Sequence, residues 1–564
     1  METVSEIIGM MRAAAPAGQP RLDAPAWQVL ADLTQSLIEA KPDAAQEHAR
    51  FLAIAQRELC LPEAELDGWL RGATVLVTGG TGCIGSALMA QLAARCPGRL
   101  VSVSRGVTEA WPRQVGGEYR QADIRDRRAM DRLFAEVRPH VVFHVAAQRD
   151  PARAEVEVHH TVTTNVLGTR NVLAAAETAG VPQVVCSSTG KALRPYSPEI
   201  YTASKRAAEW VASGVAAHGE VLCSAARFTH VLDNSLIYRR LLAWARGGAG
   251  RQDAEGGPDG QGGYGEKGWE GEKGCEGGQG WEGGQQTVIR LHAADIAFYV
   301  QSAVESAQLL LLAGLGAQRG EFRVLAITDL GWPVSLLDVA LGVLKRTGSA
   351  TPIYFSGYDP GYEEVPFPLL YDPATAGDVS PLLNAFEAAA AAQAPCPGVD
   401  AFRLDMAADP LPAKLLTALE DVCDRAPGAG PVRGALGELS WSLLDAALRA
   451  APRPALERAA ALARSHRGVP GPDHRRVLEA ICDSAAADPT GPSGTTGPAG
   501  LDGSQINIPI SALSPVIAHP SVHPWPPAPR RPPAVRPGAP GFASGSACPA
   551  AVGVSGGQVG QDLL

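Results

Sequence analysis

The chain has no run of basic residues, no closely paired cysteines and no long apolar stretch, and each absence removes a class of protein. Its formal net charge is -10 and its lysines and arginines are dispersed, so neither nucleic acid nor an anionic membrane is an expected partner. Cysteines 60, 83, 96, 186, 223, 275, 396, 423, 482 and 548 contain no Cys-x-x-Cys spacing. That pattern argues against a zinc site or a disulfide framework, so no metal is expected and the thiols suit a reducing cytoplasm. No basic and then apolar leader follows Met1, and no run of about 18 apolar residues occurs. A signal peptide and a membrane span are therefore not expected.

What the chain has in quantity is glycine and proline, 62 and 45 of its 564 residues, gathered in particular stretches. Much of the length is accordingly not core, and four zones are expected. Residues 1–70 form a helical segment, with the periodic run from Trp27 to Ile38 and a second from Phe51. Residues 71–390 alternate β-branched strands with Ala-rich helices, the pattern of an α/β, doubly wound parallel sheet. A glycine-rich insertion at 247–286, with the near-repeat Glu266 to Gly277, interrupts that zone and reads as disordered. Residues 400–485 are helical again (Lys414 to Val422, Ser442 to Leu448), and 486–564 form a disordered Pro/Gly-rich tail. The helical ends are expected to pack around the core or against a second subunit, as in a homodimer.

The most informative segment runs from Thr74 to Leu88. An apolar strand passes into Gly79, Gly82 and Gly85 and then into a helix. The first glycine makes the tight turn, the second lets backbone approach a pyrophosphate, and the third lets helix pack on strand. The N–H groups of the helix start, at Cys83 and Ile84, would face the phosphates. The next strand ends at Ser104-Arg105, where an acidic residue would bind the ribose of NAD. A hydroxyl and a guanidinium suit a 2′-phosphate instead, so NADP is expected ahead of NAD. Asp123 and Ile124 follow a short strand, at a place suited to the adenine. The strand from Val141 ends in Ala146 and Ala147, small enough for a cofactor to lie close, while His144 within it reads as a packed core histidine.

The chemistry is carried by Ser187-Ser188-Thr189-Gly190-Lys191 and then Tyr201 and Lys205. A tyrosine and a lysine four apart share one helix face. The ammonium lowers the phenol pKa, so the phenolate can exchange a hydroxyl proton near neutral pH while hydride moves to or from a nicotinamide. A hydroxyl at the preceding strand end can bond the same substrate oxygen.

On these motifs, residues 71 to about 387 resemble an extended short-chain dehydrogenase/reductase, within the polysaccharide-biosynthesis branch of nucleotide-sugar 4,6-dehydratases and epimerases. Thr78 to Gly85 matches its Thr-Gly-x-x-Gly-x-x-Gly loop, Ser104-Arg105 its second strand end, and Asn165 to Thr169 its Asn-x-x-Gly-Thr helix. Ser188 to Ala192 matches Ser-Thr-Asp-Lys-Ala with one change, and Phe322 to Asp338 also follows the branch. The resemblance implies a redox cycle on a small-molecule substrate, a nucleotide sugar. Tyr201 would deprotonate the sugar 4-OH, Thr189 would hold that oxygen, Lys205 would bind the nicotinamide ribose, and Lys191 would remove the C5 proton.

Three departures bear on that chemistry. Gly190 stands where the dehydratases carry an acidic residue that protonates the departing 6-hydroxyl. Arg227 to Val231 replaces Arg-x-Gly-Asn-Val, and Asp359 to Glu364 replaces Arg-Pro-Gly-Glu-Lys, which removes cations that would meet a diphosphate. Arg227, with Arg239 or Arg240, is the candidate replacement, and Asn234, with Asp233, His292 and Asp295, is a candidate pocket residue. A ketoreductase acting on another carbonyl compound, and a non-catalytic NADP-binding scaffold, are the alternatives.

Overall fold

The computed structural model describes residues 2–19, 22–95, 97–106, 116–233, 238–246, 287–359, 380–388, 391–404, 410–425, 428–465 and 472–487. The glycine-rich stretch at 247–286, the tail beyond 487 and Asn234 lie outside the described residues. Helices α1 (Val4–Ala14), α2 (Ala24–Ala40), α3 (Ala44–Ala53) and α4 (Glu63–Leu70) precede the first strand. Then come β1 (Thr74–Thr78), α5 (Cys83–Ala93), β2 (Arg99–Ser104), β3 (Gly117–Gln121), α6 (Arg127–Val137) and β4 (Val141–His144). The second half follows as α7 (Pro151–Val156), α8 (Val158–Val162), α9 (Gly168–Thr178), β5 (Gln183–Thr189), α10 (Ile200–His218) and β6 (Leu222–Phe228).

Beyond β6 lie β7 (His230–Val231), α11 (Tyr238–Ala245), β8 (Ile289–Leu291), β9 (Ala297–Phe298), β10 (Val300–Gln301) and α12 (Ala303–Leu315). These lead to β11 (Arg323–Ile327), β12 (Val334–Ser335), α13 (Leu336–Thr347), β13 (Ile353–Phe355), α14 (Ala385–Ala388), β14 (Ala391–Ala392) and β15 (Val399–Arg403). Four helices close the described chain: α15 (Pro410–Arg425), α16 (Ala429–Ala450), α17 (Arg453–Ser465) and α18 (Pro472–Ala486).

Nine strands form one sheet in the order β14-β15-β11-β6-β5-β4-β1-β2-β3. From β3 to β11 every pairing is parallel, and β15 and β14 add antiparallel strands at one edge. The central strands are apolar along their whole length because helices cover both faces of a parallel sheet. Val75, Leu76, Val77, Val142 and Phe143 are all inaccessible to solvent. One apolar layer joins Leu76, Val101 and Val142 to Phe134, Val172, Ala207 and, from α15 and α16, Leu419 and Leu439. The opposite layer joins Val75, Val77 and Phe143 to α4, α5 and α12 through Leu66, Leu88 and Leu310. The strand order turns back between β1 and β4, and a crevice opens there at the carboxyl ends of the strands.

The N-terminal helices pack with α13, β8 and β13 in a separate apolar cluster containing Ile7, Leu37, Phe51, Leu341 and Tyr354. Helix α3 approaches α13 closely: a Cβ on Gly342 would lie 2.7 Å from the Ala44 carbonyl oxygen. Arg57, just after α3, fastens this segment to the start of α12 with two hydrogen bonds of 3.1 Å to Glu305.

Arg227 at the end of β6 has no exposed surface. Its Nε donates to Glu209 at 2.8 Å and its Nη2 to both Glu209 (2.7 Å) and Glu387 (2.9 Å). Its Nη1 donates to Glu387 (2.6 Å) and the Leu382 carbonyl (3.0 Å). All five guanidinium donors are therefore satisfied inside the protein. This corrects the expectation of Arg227 as a substrate residue: no donor is left for a diphosphate, and no path reaches it. Burial alone would raise the Glu209 pKa, but Arg227 and Arg206 bring it below its ordinary value. The network ties α10, β6 and α14 into one block. Removing Arg227 leaves two buried carboxylates to share Arg206, so Arg227→Met is expected to cost about 3–5 kcal/mol in chemical denaturation.

Candidate active site

The turn after β1 is built by close backbone approach. Gly79 has φ +74°, and a Cβ there would lie 2.8 Å from Ala146 N and Cα. A Cβ on Gly85 would run into the Gly79 carbonyl, so α5 is packed directly on the turn. Gly82 differs: its φ is -78°, and the nearest atom to a Cβ would be Gly79 O at 3.4 Å. Neither backbone strain nor a severe clash requires glycine at 82. Its bareness instead leaves main chain open at the start of α5, which has no side-chain cap. A dinucleotide pyrophosphate fits such a cradle, held by backbone N–H groups and the helix dipole.

Beneath the turn, a buried chain of hydrogen bonds fixes β1 against β4 and α9. Thr169 Oγ1 donates to Asn165 O at 2.7 Å, so it accepts from His144 Nε2 at 2.9 Å. His144 Nδ1 then accepts from Thr78 Oγ1 at 2.8 Å, and Thr78 Oγ1 accepts from Ala146 N at 3.3 Å. One tautomer, Nε2–H, satisfies every member. Burial lowers the His144 pKa to about 3, with the Lys205 ammonium adding to the effect, so the ring is neutral. His144 is thus a packed histidine that holds the floor of the crevice.

At the end of β2, Ser104 Oγ lies 3.0 Å from Thr81 Oγ1, and Arg105 is exposed. The Arg105 Nη1 stands 3.1 Å from His160 Nε2, and Arg125 Nη1 stands 2.9 Å from His160 Nδ1. A neutral imidazole has one acceptor nitrogen, so it can accept from only one of these guanidiniums. Burial lowers the His160 pKa, and the two arginines lower it further. Asp123 takes four contacts of 2.6–3.1 Å, all from Arg125. The Ile124 side chain is buried against Gly168, and Asn171 donates to its carbonyl.

The second half of the site surrounds the end of β5. Lys205 is buried on α10 and donates to Ser187 O at 2.8 Å. Burial lowers its pKa. Tyr201 sits one turn earlier, partly exposed, with Lys191 Nζ 5.9 Å from its ring centroid. Lys191 N donates to Thr189 Oγ1 at 3.3 Å, and Lys191 Nζ lies 3.9 Å from the Glu199 carboxylate. Gly190 is buried, and a Cβ there would lie 2.6 Å from Leu382 Cδ2. The position carries no acid, and Leu382 fills the space one would need. His160 and the carboxylate of Glu155 at the start of α10 escape sequence reasoning, because their partners are distant in the chain. Among the described residues, no cluster able to hold a metal ion occurs and no helix is long and apolar enough to cross a membrane.

The strand order and the glycine turn at the strand reversal define a doubly wound fold of the dinucleotide-binding kind. Within that class, residues 75–235 match the model of the polysaccharide biosynthesis protein family. It is 27% identical to the probable polysaccharide biosynthesis protein EpsC of Bacillus subtilis, over 55% of this chain and 48% of that protein. It is 26% identical to the capsular polysaccharide biosynthesis protein CapD of Staphylococcus aureus, over 52% of this chain and 45% of that one. The chain thus spans about half the length of the curated relatives it matches. Among solved structures, the Thermus thermophilus UDP-glucose 4-epimerase in complex with NAD is 21% identical, with TM-score 0.39, over 51% of this chain and 87% of that one.

Two outcomes follow from this geometry. Gly85→Ala is expected to cost about 3 kcal/mol or more of stability. Gly82→Ala should cost about 1 kcal/mol or less yet weaken dinucleotide binding, read by thermal melts and fluorescence titration. Second, the unfolded chain takes up a proton at position 144 below pH 6.5 and the folded chain does not. Stability contributed by neutral His144 is therefore present above pH 6.5 and lost as pH falls, by about 2 kcal/mol at pH 5. His144→Gln should flatten the denaturation-versus-pH curve by that amount, leaving the dependence from His48, whose pKa burial lowers to about 4.

Proposed function

We propose that this protein is an NADP-dependent nucleotide-sugar epimerase that works through a 4-keto intermediate, in the building of a polysaccharide or a secondary-metabolite sugar. The observation that carries this reading is Lys191 beside Tyr201, on a helix whose Lys205 is fastened to the strand that ends in Thr189. The backbone from Gly79 to Gly85, with Ala146 and Ala147 opposite, would hold the dinucleotide, and Arg105 with Arg125 would meet a 2′-phosphate. Bound nicotinamide supplies reversible hydride acceptance. Tyr201 as phenolate takes the proton of the sugar 4-OH, and the Thr189 hydroxyl bonds that oxygen. Lys205 orients the ribose and favours the phenolate. The ketone acidifies the neighbouring C5–H, Lys191 accepts that proton, and a solvent-derived proton delivered to the opposite face inverts C5. Gly190 and Leu382 weigh against loss of the 6-hydroxyl, which needs an acid at that place.

A reductase of another carbonyl compound is the second reading, favoured by the full internal use of Arg227. The two readings differ in redox balance. An epimerase converts one of a panel of UDP-, dTDP- or GDP-sugars with no added reductant; a reductase consumes NADPH mole for mole. Tyr201→Phe is expected to lower conversion about 10³-fold and leave dinucleotide affinity within about twofold. Cofactor binding without turnover on any substrate would leave only a scaffold.

A further inference from the structure

The helices after the sheet do more than cover it. In α16, Val432, Leu436, Leu439 and Leu443 recur at helical spacing and are buried in the same cluster as Ala203, Ala207 and Trp210 of α10. From this same helix two side chains reach the site's edges. Arg433 Nη1 donates to Glu155 Oε2 at 2.6 Å, and its Nη2 donates to the Glu155 carbonyl at 3.1 Å. The other carboxylate oxygen of Glu155 accepts the N–H of Ile200 at 2.7 Å. Ile200 opens α10 immediately before Tyr201, and Glu199 gives that helix no side-chain cap of its own. A carboxylate from α7 therefore does the capping, and a cation from α16 holds that carboxylate.

Eight residues further along α16, about 12 Å at helical rise, Trp441 stacks on Tyr196 with ring centroids 4.0 Å apart. Arg476 of α18 lies 4.0 Å from the Trp441 ring centroid. Tyr196 belongs to the segment that links Thr189 and Lys191 to Tyr201. One rigid helix thus fixes both the start of α10 and the segment leading into it.

We propose that Arg433 and Trp441 of α16, with Glu155, are positioning residues that hold Tyr201 and Lys191 in register through the Ile200 cap and the Tyr196 stack. The proposal rests on the reading of Tyr201 as the proton-transfer group only for its kinetic consequence. Loss of Arg433 leaves the Glu155 carboxylate without its counter-charge beside the start of α10. That disfavours the Tyr201 phenolate and loosens the first turn.

The test uses the full chain with Arg433→Met, Arg433→Lys, Trp441→Leu and wild type, followed by hydrogen exchange and by melting temperature. Arg433→Met is expected to speed exchange in residues 199–204 about fivefold while the rest of α10 to His218 keeps its protection. Arg433→Lys restores most of it, and Trp441→Leu speeds exchange in 192–198. Where turnover is measurable, Arg433→Met lowers kcat about threefold with little change in KM and moves the acid limb of the kcat profile upward. Unchanged exchange in 199–204, or exchange raised evenly along α10 in step with a lower melting temperature, overturns the proposal. The exchange result stands whether or not a nucleotide sugar proves to be the substrate.

Discussion

The approach of the Gly79 turn to the Val145–Ala146 backbone is the constraint on which the rest of the site depends. Two main-chain segments come within the space that one methyl group would occupy, and α5 rests its own Gly85 on the same turn. Such contact is cheapest where the polar groups beneath it are paired, because unpaired buried donors and acceptors are costly. The Thr169–His144–Thr78–Ala146 chain meets that condition with a single tautomer. The neutral imidazole is therefore part of the architecture: it keeps the crevice floor rigid without placing a charge under the cofactor's path.

The second half of the site solves a different problem, that of fixing a lysine and a tyrosine side by side on a buried helix. Lys205 spends one donor on Ser187 O, which fixes its stem to β5 while burial lowers its pKa. Behind it, Arg227 and Arg206 balance the charge of Glu209 and Glu387 entirely within the core. Helix α10 is thus held from below by an ion network, and at its start by the Glu155 cap.

The sheet and the glycine turn are legible in the sequence because their causes are local. A central parallel strand is apolar throughout, a positive φ selects glycine, and a helix packed on a turn excludes a side chain. Tyr201 and Lys205 are legible for the same reason, since four residues on a helix share a face. What escapes has its cause far along the chain. Arg227 reads as a ligand for a phosphate, but its partners lie 18 and 160 residues away. His160 sits 55 and 35 residues from the arginines that flank it. Ile124 stands in the expected place along the chain, yet its side chain points into the core. The helices from Pro410 onward announce themselves by periodicity, whereas their hold on α10 depends on Arg433 and Glu155, 278 residues apart.

Inversion at C5 through a 4-keto sugar makes one demand that neither a reductase nor a scaffold shares: the proton next to the ketone must leave and be replaced from solvent. The decisive measurement is mass spectrometry and NMR of nucleotide sugars incubated with the protein in D2O, without added reductant. One deuterium gained at C5, absent with Lys191→Met and Tyr201→Phe, is the predicted result. Product formed with no solvent deuterium at C5 would contradict it.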